Sequence, residues 1–418
     1  MKNTVSSSPL RKYNGLRISA AAVFLFLAST LHCWAQVATG GAQNLPREIS
    51  RVTFAAAGDV IPHQAVVEAA AAADQAEKSL QQGSSGATKD NALPTNDHGG
   101  WDSLFSQVAD VFRQADFGFV NLETPVAPTH SQGTHAFQFN APIDLVQALK
   151  ANGIKIVSFA NNHVFDQGNA GFAETLDHLR EQGMLFTGAG STAEAAWKPV
   201  ILEKNGIRIG WLGMTRWLNG HRNPEKADEA HVAFLPYPSE SGGAPGLDEA
   251  GLMEAIKAAR AQCDLLLISI HWGIEYAPDP RPEDIDLAHK MLEAGAAAVI
   301  GHHPHVLQPI ETYQTSDQRN AIVVYSLGNF VSNQSRFYVQ GLMPDKTGDP
   351  RDSMVIKFSV VKKDYGPGGI RTELADGPSS RGSSQRSMSS EARVIHGQAH
   401  STSAPNAAAS IARGQVSK

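Results

Sequence analysis

Three histidines stand within four positions of one another, His302, His303 and His305, just past the short apolar run 297–300 and Gly301. Imidazole at that density suits a metal, because its neutral nitrogens are good ligands for borderline cations. Pro304 fixes its own φ and cannot extend a helix, so the stretch reads as a strand opening into a tight loop. A His-rich surface turn is the alternative for this segment taken alone. Other apolar strands end in residues of matching chemistry: Asp59 after 51–57, Glu123 after 117–121, Asn162 with His163 after 154–160, and His271 after 265–270. Carboxylate, amide and imidazole are oxygen and nitrogen ligands, with no thiolate among them. That set suits Mn, Zn or Fe, and Mg less well. The divalent metal expected here is one ion, or two bridged by a carboxylate and able to clamp both oxygens of an in-line displacement.

Each residue has an ordinary explanation as well. Asp59 follows Gly58 and could be a turn residue. Glu123 could be a solvated loop carboxylate, and a lone His163 is more often a half-buried structural histidine. His271 is harder to dismiss, because it directly follows an apolar strand. Arg216, past strand 207–214, is a candidate grip for a substrate anion, and a surface arginine is its alternative. Trp272 and Glu275, which follow His271, are further candidate substrate contacts. Taken in series, at one end of successive strands, these signals make a site, since ligands of open α/β sheets bind at the carboxyl ends of the strands.

The elements that must position these residues alternate along the chain. Helical periodicity at 101–114, 143–151, 169–182, 252–262 and 283–294 separates near-continuous apolar strands, including 207–214, 322–325 and 354–360. Strands of that kind are buried on both faces, and the fold class expected is α/β. Residues 68–100 read as a solvated insertion with an Ala-rich helix at its start, and 215–247 as a polar loop. After residue 364 the composition collapses to small and polar residues, so 365–418 is expected to be a disordered tail.

Length and composition are compatible with a sizeable core: 418 residues, 42% hydrophobic and 18% charged. A net charge of -6 offers no electrostatic case for nucleic acid as partner. Residues 1–35 read as a secretory signal, with Arg11, Lys12 and Arg17 before the apolar stretch 18–31 and cleavage expected after Ala35. An uncleaved N-terminal anchor is the alternative. Residues 36–50 read as a linker. Cleavage would leave Cys263 as the single cysteine, most simply a buried small hydrophobe.

Seven ordered motifs resemble one family. They are Gly58-Asp59; Asn121-Leu122-Glu123-Thr124-Pro125; Ala160-Asn161-Asn162-His163 with Asp166 and Gly168; Gly188-Ala189-Gly190; His271-Trp272-Gly273 with Glu275-Tyr276; Gly301-His302-His303-Pro304-His305; and Tyr325-Ser326-Leu327-Gly328-Asn329-Phe330. Together, over roughly residues 51–332, they look like the bacterial poly-γ-glutamate capsule-synthesis family of the CapA type, itself related to calcineurin-like metallophosphoesterases. The resemblance implies a central β sandwich flanked by helices, in one domain over 51–364. It implies that Asp59, Glu123, Asn162, His271, His303 and His305 are metal ligands. It further implies that His163 acts on a leaving group and is oriented by Asp166. The His-x-His spacing selects His303 and His305, leaving His302 as a neighbour or substrate contact. One position departs: where the phosphoesterase pattern has a histidine, this chain has Ile61, with His63 two residues later.

Two functions of different class follow. One is an exported metal-dependent hydrolase cutting a phosphoester or γ-glutamyl bond in an anionic cell-surface polymer or its precursor. The other is a non-catalytic accessory subunit that binds such a polymer. Either would work outside the cytoplasm, with a membrane-associated capsule-synthesis complex as partner. A secreted nucleotidase ranks last, since no pair of base-stacking aromatics is evident.

Overall fold

The strand Leu265–His271 is buried along its whole length, and its side chains alternate between two different cores. Leu265 and Leu267 enter one, Leu266, Ile268 and Ile270 the other. A period of two with apolar residues in both phases is what a strand covered on both faces requires.

The computed structural model describes residues 45–83, 98–132, 137–238, 246–375 and 393–396. The signal segment 1–35, the linker residues 36–44, residues 84–97 of the insertion, and residues 376–392 and 397–418 of the tail lie outside the described residues.

The first part of the chain runs β1 (Arg47–Val60), α1 (Gln64–Gly83), α2 (Ala109–Arg113), β2 (Phe117–Leu122), α3 (Ile143–Ala151), β3 (Ile154–Ser158), α4 (Gly168–Glu181) and β4 (Leu185–Thr187). Next come β5 (Ala189–Gly190), α5 (Ala193–Ala196), β6 (Val200–Lys204), β7 (Ile207–Thr215), β8 (His231–Val232), α6 (Glu249–Arg260) and β9 (Leu265–His271). The last part holds α7 (Pro282–Glu293), β10 (Ala296–His302), β11 (Ile310–Gln314), β12 (Asn320–Val324), β13 (Asn329–Val331), β14 (Asp352–Asp364), β15 (Ile370–Leu374) and β16 (Arg393–His396).

Two sheets result. The first has the order β15-β14-β1-β2-β3-β4, with β13 also pairing β1 and β16 pairing β14. The second has the order β11-β12-β10-β9-β7-β6. The strands β1 to β4 are parallel to one another, as are β7, β9, β10 and β12. Their carboxyl ends therefore gather at one edge of each sheet. Phe54, Phe119 and Ile156 of the first sheet pack against Trp211, Leu267 and Ile300 of the second. Phe119 stacks on Trp211 at 4.2 Å between ring centroids. Helices close both outer faces, with Phe112, Leu145, Leu149, Phe172 and Leu176 on one side and Leu252, Ile256, Leu287 and Met291 on the other. This is the α/β architecture expected, a central β sandwich flanked by helices.

The edges of the domain differ from the expectation. β1 begins at Arg47, inside the stretch read as linker, because β14 runs on to Asp364 and offers Arg47 and Glu48 backbone partners. Residues 370–374, read as disordered tail, form β15 on the open edge of β14, and Leu374 enters the core between the sheets. A strand with one buried residue carries little compositional signal. Residues 68–83 of the insertion are helical, and Gly100 sits so close to Ala70 that a Cβ would lie 1.9 Å from its carbonyl oxygen. The loop 215–247 holds β8 and buries Leu218, Phe234, Leu235 and Tyr237.

Candidate metal centre

Asp59 sits where β1 slips its register, and its carboxylate is fully buried. It accepts from Asn121 Nδ2 at 2.8 Å and from the His303 backbone N–H at 3.2 Å. His302 Nδ1 lies 3.3 Å from Oδ1, and His305 Nδ1 3.2 Å from Oδ2. Glu123 follows β2 directly. Its Oε1 lies 3.5 Å from His271 Nε2 and 4.0 Å from His305 Nε2. The rings of His271 and His303 are 4.6 Å apart. Two strand ends of the first sheet thus face two of the second across the seam of the sandwich.

Backbone geometry serves this convergence. His303 (φ 99°) and His305 (φ 59°) lie in the left-handed region, which costs a non-glycine residue energy unless the surroundings hold it there. The glycines just before the site allow close approach. A Cβ on Gly58 would lie 1.8 Å from the Gly328 carbonyl oxygen, and one on Gly301 2.0 Å from that of Tyr325.

The electrostatics fit a cation. Burial pushes Asp59 up, but its contacts with His302 and His305 outweigh that and hold it well below the usual carboxylate range. Burial, and then the charges of Asp59, Glu275 and Asp166, push Glu123 well above it. Burial and then His303 hold His271 far below an ordinary imidazole, and burial and then His305 bring His303 down to about 3. His271 and His303 are thereby held in the neutral form, with lone pairs to give. Glu123 Oε1, His303 Nδ1, His305 Nδ1 and both ring nitrogens of His302 are buried without a hydrogen-bond partner among the described residues. Buried polar atoms are rarely left so, and a divalent ion satisfies both the orphaned atoms and the second carboxylate. Glu123, His271 and His303 each bring a ligand atom within 4.8 Å of the others, as do Asp59, Glu123 and His305, and Glu275, His303 and His305. Glu123, His303 and His305 each belong to two of these groups.

Asn162 reaches the same place, its Oδ1 2.8 Å from His271 Nε2. His163 Nδ1 lies 2.9 Å from Asp166 Oδ2, which also accepts from the Phe139 N–H at 2.7 Å. An ionised carboxylate only accepts, so Nδ1 carries the proton and Nε2 is left for other chemistry. Exposed Glu275 stands at the rim.

Three sequence expectations need correction. Trp272 does not line the site. It points to the helix-covered face, where its indole N–H donates to the Tyr325 carbonyl at 3.0 Å and its ring stacks on Tyr325. One step along a strand from His271 reverses the face. Arg216 is neither an anion grip nor a surface residue. It is buried, donates to Asp284 Oδ1 at 3.3 Å and lies 3.6 Å over the Tyr237 ring. His302, 1% exposed, is no substrate contact. It is in register with His271, and its Nδ1 lies 3.3 Å from Asp59 Oδ1 inside the cluster.

Arg216 belongs to a buried chain that holds the His271 strand end. Tyr237 Oη donates to Asp284 Oδ1 at 3.0 Å and accepts from the Gly273 N–H at 2.8 Å, while Trp217 Nε1 donates to the Gly273 carbonyl at 3.1 Å. Replacing Tyr237 by Phe leaves the buried Gly273 N–H without this acceptor and leaves Asp284 Oδ1 with Arg216 as its remaining donor. Urea unfolding should show a loss of about 2 kcal/mol.

Two motif residues to which the sequence assigned no role complete the cluster. Asn121 stands between Asp59 and Glu123, and its Nδ2 lies 3.4 Å from His271 Nδ1. Asn329 Nδ2 donates to the His305 carbonyl at 3.2 Å. A buried amide inside an otherwise apolar strand was the available signal for Asn121.

Ile61 is buried and offers no ligand. His63, two residues on, packs edge-on to Phe139 at 5.0 Å, and Phe139 lies 4.6 Å from His163. Burial is the main reason the His63 imidazole is lowered to about 4. The unfolded chain then binds the proton first, so this stability is complete above pH ~6.5 and is lost as pH falls toward 4. Between pH 8 and pH 5 the protein should lose about 2 kcal/mol more than His63→Phe does, as read from denaturant midpoints.

A family model described as "Bacterial capsule synthesis protein PGA_cap" matches residues 53–334. The "PGA biosynthesis protein CapA" of Bacillus subtilis (strain 168) is 33% identical over 270 residues, 64% of this chain and 63% of that protein. The "Capsule biosynthesis protein CapA" of Bacillus anthracis is 30% identical over 243 residues, 56% and 55% of the two chains. In both cases the chain spans less than two thirds of the relative's length. A solved structure titled as a novel phosphatase from Mycoplasma pneumoniae overlaps 78% of this chain and 93% of its own at 13% identity, with a TM-score of 0.38. Likeness at that level carries no argument.

Proposed function

This chain belongs to the bacterial capsule synthesis protein family PGA_cap, and from that premise we propose that it is a metal-dependent hydrolase of capsule biosynthesis. The bond cut would be a phosphoester or γ-glutamyl bond of an anionic cell-surface polymer or its precursor. The observation that carries the reading is the buried cluster of Asp59, Glu123, His271, His303 and His305, whose ligand atoms stand within 4.8 Å of one another in overlapping groups.

Those residues, with the Asn162 carbonyl, would hold the ion or ions, and Mn, Zn or Fe suits their chemistry. A divalent ion held there supplies Lewis acidity and makes water a nucleophile near neutral pH. The chain's own residues do the rest. Asn121 spaces Asp59 from Glu123, and the His303 backbone N–H holds the other Asp59 oxygen. Asp166 holds the His163 ring by its Nδ1–H and stabilises the imidazolium, so that Nε2 can hand a proton to the departing group. The buried walls exclude bulk water and strengthen each of these interactions.

The same proposal puts the domain outside the cytoplasm, with residues 1–35 as export signal or retained anchor, working beside a membrane-associated capsule-synthesis complex. Ile61 supports a second reading, a non-catalytic subunit that holds the polymer, because an aliphatic side chain stands where a phosphoesterase ligand would. Metal analysis of the purified full chain, with hydrolysis of phosphoesters and γ-glutamyl amides before and after chelation, separates the two. Bound metal and chelator-sensitive turnover are expected. Polymer binding that survives chelation, with no turnover of either substrate class, would transfer the proposal to the accessory role.

A further inference from the structure

At the far end of the strands from the metal centre, a cavity of about 640 Å³ opens beside the start of β9. Leu265, first residue of β9, lines it, whereas His271 at the other end of the same strand faces the metal centre. Six strand steps, about 20 Å, separate the two. Arg260 at the end of α6, Lys362 on β14 and Arg371 on β15 all line the cavity.

None of these three cations meets a carboxylate within ion-pair distance among the described residues. Arg260 donates to the Cys263 carbonyl at 2.5 Å and Lys362 to that of Gly206 at 3.1 Å, while Arg371 lies 5.1 Å over the Tyr365 ring. The carboxylates that share the lining are already engaged. Asp264 takes Arg208, Asp317 takes Arg319, and Glu373 takes Lys363 and the Tyr365 hydroxyl. Once those pairs cancel, three positive charges remain around a space large enough for a small molecule or a few monomers of a chain. Gln318, Asn320 and Thr372 add neutral hydrogen-bonding groups to the same lining. Guanidinium and ammonium set about a polar cavity recognise oxyanions, and several at once favour a ligand that carries several.

We propose that this cavity binds a multivalent oxyanion, carboxylate- or phosphate-bearing, independently of the metal centre. The inference does not rest on the hydrolase reading. An accessory subunit could use the same grip to retain an anionic polymer.

The test is calorimetric titration of the metal-free full chain with tri-γ-glutamate and, separately, with inorganic tripolyphosphate. Saturable binding of at least one probe is expected, weakened by added salt. Lys362→Glu with Arg371→Glu should reduce that affinity by at least about 10-fold, because two attractions become repulsions. The milder pair Lys362→Gln with Arg371→Gln should fall between and guards against a folding defect. His303→Ala should bind as the wild type does. Tighter binding of tri-γ-glutamate would identify a polycarboxylate as ligand class, and tighter binding of tripolyphosphate a phosphate. No saturable binding of either probe, equal affinity in the charge-reversed pair, or loss of binding in His303→Ala would each overturn the proposal.

Discussion

His303→Ala is expected to abolish tight metal binding while leaving the metal-free fold close to its original stability. His303 shares one candidate ligand group with Glu123 and His271 and another with Glu275 and His305. Its removal therefore weakens the centre from both sides. Loss of a residue that merely orients a ligand costs about 10- to 100-fold in metal affinity, so loss of a ligand should exceed about 100-fold. The metal-free protein gains little from this side chain, whose Nδ1 is buried and unpartnered and whose imidazole is driven down to about 3 by burial. Added Mn or Zn should raise the Tm of the wild type by mass action and that of the variant far less. His303→Gly should go further. At φ 99°, glycine relieves about 1–3 kcal/mol of backbone strain, so its metal-free form should melt no lower than the wild type. A metal-induced Tm rise in His303→Ala equal to that of the wild type would remove His303 from the centre.

His163→Ala should lower kcat by about 10²–10⁴-fold toward substrates with a poor leaving group, the range that a positioned proton donor contributes. Bound metal should be unchanged. Toward a nitrophenyl ester, whose leaving group needs no proton, the loss should nearly vanish. Asp166→Asn should show the same leaving-group dependence, because the amide no longer compels Nδ1 to carry the proton. The 2.9 Å contact of His163 Nδ1 with Asp166, which the Phe139 N–H also engages, is the basis. Equal losses for both ester types would mean that His163 acts on binding and not on the departing group.

Much of the candidate metal centre was legible beforehand because it lies at the ends of strands that are apolar in both phases. Such strands must be covered on both faces, so a charged or imidazole residue at their carboxyl end has few places to go but a shared site. Asp59, Glu123, His271, His303 and His305 follow that rule. Trp272 and Arg216 were misplaced for a related reason. Adjacency in sequence put them beside site residues, whereas strand parity sent Trp272 to the helix side and a buried carboxylate on α7, Asp284, drew Arg216 away. His302 was set apart from its neighbours by a spacing argument, although register with His271 puts it against Asp59. Asn121 and Asn329 carry no charge and sit in ordinary strand positions, and only their cross-strand partners reveal what they hold.

The order of elements, their covering on both faces and the residue types offered at the strand ends are set by the chain itself, since burial period and side-chain chemistry are local properties. Which of those ends meet is not local. Asp59 reaches His302 and His305, Asn121 reaches His271, and His303 turns toward Asp59 because two separate sheets close on a core built around Phe119 and Trp211. Contacts made across the seam of a sandwich depend on how the sheets pack and on backbone held at positive φ, and neither quantity is written in any single stretch of sequence.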